Sequence, residues 1–147
     1  IDGQPMENFE KQTINLSAYQ SGTAKLLVSD EISADTYNDV SIVLDYTSDE
    51  AGNEPGCYVM ETDNTKHNLA ETSETTQEIT ISKSFEILAG AGTELVLDFD
   101  LRKALKYENN THQTSNYGFV SEIDLQNSLR LVAEENSSIT LLNSTVL

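Results

Sequence analysis

Thr93 to Lys103 reads TELVLDFDLRK, and this stretch decides the fold class. Leu95, Leu97, Phe99 and Leu101 fall on one side of a two-residue alternation, with Val96, Asp98, Asp100 and Arg102 on the other. That period predicts a β-strand with one buried face, because successive side chains of an extended chain point to opposite sides. Asp98, Asp100 and Arg102 are then expected on one face, about 7 Å apart along the strand. Two carboxylates so spaced have the chemistry of acid and base in glycoside hydrolysis. The basic neighbours favour a plainer reading, a structural charge cluster in which Arg102 or Lys103 pairs with Asp98 or Asp100 and fixes the strand end.

Just before this strand, Ala89-Gly90-Ala91-Gly92 forms a tight connection. Before that, Gln77 to Leu88 carries Ile79, Ile81, Phe85 and Ile87, with Lys83-Ser84 marking a bulge or a change of partner. Strand, short glycine-rich turn and strand predict antiparallel neighbours. After it, Lys103 to Tyr107 favours a short helix and Glu108 to Ser115 a polar loop, while Tyr117 to Val120 and Ser128 to Val132 read as further strands. Ser138 to Leu147, SITLLNSTVL, is apolar and β-branched enough for a last one.

The first half of the chain continues the pattern. Asp39 to Asp45 alternates, with Val40, Ile42, Leu44 and then Tyr46 on one face. Thr47 to Gly56, TSDEAGNEPG, is rich in turn residues, and Gly56 to Glu61 and Lys66 to Leu69 read as hairpin arms around Thr62 to Thr65. Gln12 to Leu16 and Lys25 to Val28 suggest short strands, Asn15 to Gln20 a single helical turn, and Ile1 to Lys11 a turn or an unanchored end. About eight short strands with almost no helical periodicity predict an all-β fold, an antiparallel Greek-key β-sandwich forming one domain over residues 1–147.

Composition narrows the function classes. The net charge of −17, from 25 acidic and 8 basic residues, repels nucleic-acid phosphate and anionic membranes, so no nucleic-acid partner is expected. No stretch reaches the roughly 18 apolar residues of a membrane span, and no transmembrane segment or signal peptide is predicted in this chain. Cys57 is the single cysteine and reads as a small buried apolar residue, since only His67 and His112 exist to serve it as a base. The same isolation of the two histidines argues against zinc.

Leu95 to Lys103, LVLDFDLRK, follows Phe85 and the Gly90 to Gly92 turn and precedes Leu129-Arg130-Leu131-Val132. Together with Ile32 to Leu44, ISADTYNDVSIVL, it resembles an uncharacterised bacterial family, a domain of unknown function found in secreted or lipid-anchored surface proteins. The resemblance runs from about Asn15 to Val132. It implies an immunoglobulin-like or transthyretin-like sandwich at the bacterial cell surface, anchored through a segment outside this chain, and it implies no activity. Two departures stand out. Asp35 occupies a position where Gly is usual, and members begin with a further strand pair where this chain has only Ile1 to Lys11, so the chain is trimmed or one strand position is open.

No nucleophile, base and orienting group assemble in the sequence, and a non-enzymatic structural or adhesive module is expected, joined to other surface proteins or to itself through strand edges. Ser138 to Leu147 is the expected donor of such a strand. The alternative is a carbohydrate-binding or calcium-binding surface domain. Asp45, Asp49, Glu50, Asn53 and Glu54 supply oxygen ligands suited to calcium but miss the Asp-x-Asp-x-Asp-Gly spacing. For a glycan, Tyr58, Tyr107 and Tyr117 are the remaining stacking platforms in a chain without Trp.

Overall fold

The computed structural model describes residues 1–20, 23–69, 75–109, 115–119 and 126–136. The all-β, antiparallel class is borne out. Among the described residues the chain forms β1 (Asp35–Asp45), β2 (Tyr58–Met60), β3 (Lys66–Asn68), β4 (Thr76–Ile87), β5 (Gly92–Phe99), β6 (Leu105–Asn109), β7 (Ser115–Phe119) and β8 (Leu129–Asn136), together with the short helix α1 (Leu101–Ala104) and a 3₁₀ turn at Leu16–Ala18. The strands pair as four antiparallel two-stranded ladders, β1 with β4, β2 with β3, β5 with β8 and β6 with β7.

The β1–β4 ladder forms because both strands alternate in the same sense. Val40, Ile79, Ile81 and Phe85 are buried, while Val43 on the opposite face is 63% exposed. Tyr37 pairs with Phe85 and Asp39 with Ser82, so Asn38 alone faces the two residues Lys83 and Ser84. That is the bulge anticipated at Lys83-Ser84. It sets Tyr37 opposite Phe85, where their rings stack with centroids 5.7 Å apart. The hairpin of β2 and β3 also stands where the turn residues placed it, with Asn64 at φ +67° in the turn.

The connection from β4 to β5 departs from expectation. Gly90 takes a φ of +74° in the tight turn, yet β5 pairs with β8 and leaves β4 to β1. One edge of β4 is filled by β1 and the other faces β8, so the short link carries the chain into a second ladder. Side chains then join the two. Lys83 Nζ donates to the Leu131 carbonyl at 2.6 Å, and Gln126 Nε2 donates to the Thr80 carbonyl. Behind these links lies one core in which Ile79 and Leu131, each 1% exposed, are joined by Tyr46, Leu69, Phe99, Ala104 and Leu129.

Other local expectations shift by a few residues. The helix predicted over Lys103 to Tyr107 lies earlier, at Leu101–Ala104, because Asp100 caps it, and Leu105–Asn109 is strand. Asn15 caps the 3₁₀ turn by accepting from the Ser17 N–H. Gln12 to Leu16 and Lys25 to Val28 form no strand, since their backbone groups find no ladder partner among the described residues. Ile1 to Lys11 is anchored: Asp2 exchanges backbone and side-chain bonds with Asn38 and Asp39, and Lys11 binds Asp45. Val120, His112 and Ser138 to Leu147 lie outside the described residues.

Candidate functional site

The acidic loop from Asp45 to Gly56 closes on itself through short-range bonds. Asp45 Oδ1 accepts from the Thr47 N–H at 2.8 Å and the Thr47 hydroxyl at 2.6 Å. Its Oδ2 lies 2.6 Å from Lys11 Nζ. Lys11 and then Thr47 hold this carboxyl well below the usual carboxylate range. Asp49 Oδ1 accepts from the backbone of Ala51 and Asn53 at 3.0 and 2.8 Å, and its carboxyl is lowered chiefly by the Asn53 bond. Glu50 and Thr13 exchange a reciprocal pair of bonds, 3.0 Å from the Thr13 N–H to Glu50 Oε2 and 2.8 Å from the Glu50 N–H to Thr13 Oγ1.

The turn also depends on one glycine. A Cβ on Gly56 would lie 2.1 Å from the Asp45 carbonyl oxygen and 2.8 and 2.9 Å from the backbone O and N of Ser48. Only a bare Cα fits there. Cys57 follows, with its Sγ 3.3 Å from the Asp45 carbonyl, and burial pushes its thiol up to about 11, so the nucleophilic thiolate is suppressed.

Calcium takes 6–8 oxygens, and this loop turns its carboxylates toward protein donors. Asp45, Asp49 and Glu50 are engaged as above, Asn53 serves Asp49 as a donor, and Glu54 is exposed beside Pro55 in a shallow depression shared with Tyr46, Thr47, Lys66 and Asn68. Among the described residues no group of three or more His, Cys, Asp or Glu side chains is placed to hold a metal ion.

The charge cluster of the central strand is divided. The strand ends at Phe99, because Asp100 leaves the alternation to cap α1, accepting the Arg102 N–H at 3.1 Å. Asp98, Asp100 and Arg102 therefore do not share a strand face. Asp98 meets its register partner Arg130 at 2.7 Å, Asp100 has Lys103 at 3.8 Å, and Arg102 is exposed. Both carboxylates thus have structural partners. Lys103 is the partner expected for Asp100, whereas Arg130 was missed, as was Lys11, the partner of Asp45. Arg130 had a signal, since LRLV alternates and places a cation opposite an acidic strand position, whereas Lys11 sits in a polar segment with no periodicity to place it.

Of the tyrosines, Tyr58 lies under Lys66, whose Nζ is 4.4 Å from the ring centroid. Tyr107 is 52% exposed, and its register partner in the β6–β7 ladder is Tyr117. His67 Nε2 stands 3.2 Å from Glu61 Oε1 across the β2–β3 hairpin.

Among curated proteins and among solved structures, no match was found. A family model described as Domain of unknown function (DUF4382) matches residues 2–115, which takes in the acidic loop, the central strand and α1 but not β8, and by that match the chain belongs to this family.

Proposed function

We propose that this chain is a non-enzymatic structural or adhesive module of a bacterial cell-surface protein, assembling with itself or with other surface proteins through strand edges. The observation that carries this reading is the pairing pattern: each ladder among the described residues is two-stranded, and the outer edge of a strand is a template for another strand. The dispersal of the acidic groups into caps and cross-strand pairs supports the non-enzymatic part. The proposed location, with anchoring through a segment outside this chain, rests on the resemblance to surface proteins and agrees with the acidic composition. No helix among the described residues is long and apolar enough to cross a membrane.

The test compares the full chain with one cut after Asn136, which keeps β8 whole and removes the expected donor strand. In about 0.15 M salt, where the Debye length is about 8 Å and self-repulsion is screened, light scattering is expected to show an oligomer or fibre for the full chain and a monomer for the shortened one. A monomer in both overturns assembly through this tail.

A second reading, carbohydrate binding, is favoured by Tyr107, an aromatic residue 52% exposed on β6. Glycan-array binding lost on Tyr107→Ala would favour it over assembly.

A further inference from the structure

The outer edge of β1 is occupied by a segment that is not a strand. The Tyr46 N–H donates toward β4, to the Thr75 carbonyl, whereas the Asp39 N–H and C=O both turn away from β4, toward Asp2. Backbone groups alternate between the two sides of an antiparallel strand, so Ser41 and Val43 point outward like Asp39. Their outward N–H and C=O groups meet no hydrogen-bond partner among the described residues.

Residues 1–13 run past this edge. The Asp2 N–H donates to the Asp39 carbonyl at 3.0 Å, and Asp2 Oδ1 accepts from the Asn38 and Asp39 N–H groups at 2.8 and 2.7 Å. Lys11 reaches Asp45 at 2.6 Å and Ser48 Oγ at 3.1 Å, and Thr13 locks to Glu50. These anchors follow β1 and its loop in the same chain order, so the segment lies parallel to the strand. From Asp39 to Asp45 is about 20 Å of strand, while the chain from Asp2 to Lys11 can reach about 30 Å. The slack is used at Asn8, which turns aside to Asp30. The segment holds the edge by its ends and completes no ladder.

We propose that residues 1–13 are an exchangeable strap, and that in assembly the outer edge of β1 takes residues 1–13 of a second copy of this chain. The proposal rests on the edge-assembly reading and names the edge and its occupant. The anchors are exposed polar contacts, a class that holds weakly in water, and every one of them can be re-made between copies. Charge selects the occupant. Asp39, Val43 and Asp45 share the outer face of β1, and Glu78 is the register partner of Val43. In a chain of net charge −17, that face admits a strand only if it brings a cation to Asp45. Lys11 is the one basic residue before Lys25, and it already makes that contact.

The experiment uses the full chain carrying Asp2→Ala and Lys11→Ala and, as probe, a fluorescent synthetic peptide of residues 1–13, read by anisotropy. The variant is expected to bind the peptide at least tenfold more tightly than the wild-type chain, whose own strap competes at high effective concentration. Binding should weaken as salt rises, and a peptide with Lys11→Glu should lose at least tenfold. Amide exchange at Asn38 and Asp39, whose N–H groups the strap accepts, should quicken in the variant and slow again with peptide. If the double variant loses its circular dichroism, Lys11→Ala alone replaces it. A folded variant that binds the Lys and Glu peptides alike, or whose Asn38 and Asp39 exchange is unchanged, overturns the strap. Oligomers that vanish with residues 137–147 in the absence of peptide binding would reject the strap while upholding assembly.

Discussion

At the scale of single residues, Asp45 and Gly56 hold the acidic loop together. The lowered folded-state pKa of Asp45 means that its contribution to stability is fully present above the unfolded carboxylate value near about 4 and is lost as pH falls toward the folded value. Asp45→Asn removes that linkage. Urea midpoints between about pH 5 and 2 are expected to fall less steeply in the variant than in the wild type. Asp49 and Asp63 are lowered as well, so a slope remains. Identical slopes would show that Lys11 and Thr47 do not stabilise the Asp45 carboxylate. Gly56→Ala forces backbone to move, since the added carbon meets the Asp45 and Ser48 main chain. Overpacking of this kind costs about 1–3 kcal/mol, read as a lower urea midpoint at unchanged m-value.

At the scale of elements, the β5–β8 ladder sets an apolar pair beside a charge pair. Leu97 faces Leu131 in register and Asp98 faces Arg130. Leu131 is 1% exposed, and Leu131→Ala is expected to cost about 2–5 kcal/mol through lost burial and the cavity left behind. The Arg130 side chain is 73% exposed but that of Asp98 is 18%, so Arg130→Ala takes the cation from a largely covered carboxylate and is expected to cost about 1–3 kcal/mol, below the Leu131 loss. Equal losses in the two variants, measured by urea denaturation, would mean that charge and not burial holds the ladder. The same comparison bears on α1, because the Asp100 N–H binds the Ser128 carbonyl just before β8, tying the cap of the helix to the start of that strand.

At the scale of the whole molecule, the two long ladders meet without becoming one sheet. Lys83 and Gln126 give side-chain donors to carbonyls on the facing edges of β8 and β4, where a continuous sheet would have backbone donors. The core crosses that junction, with Ile79 and Ile81 from one ladder and Leu129 and Leu131 from the other. Stability is therefore shared by the two ladders. Association is constrained by the net charge of −17, which opposes contact between copies unless cations such as Lys11 are brought to the acidic edge.

The sequence by itself determined the all-β class, the long alternating strands, the hairpin of β2 and β3, the bulge at Lys83-Ser84 and the cap at Asn15. These are local properties, set by side-chain periodicity and by residues that bond to their own neighbouring backbone. Only the tertiary structure decided which strands pair. A glycine-rich turn after β4 reads as a hairpin, but β4 has β1 on one edge and β8 facing the other, and β5 found β8 beyond α1. It also divided Asp98, Asp100 and Arg102, because the bond from the Arg102 N–H to the Asp100 carboxylate stops the strand at Phe99. Lys11, Asp2 and Arg130 took their roles from residues 34, 37 and 32 positions away. Partners so distant leave no period in the chain, since pairing depends on which backbone edges and charges remain open once the core has closed.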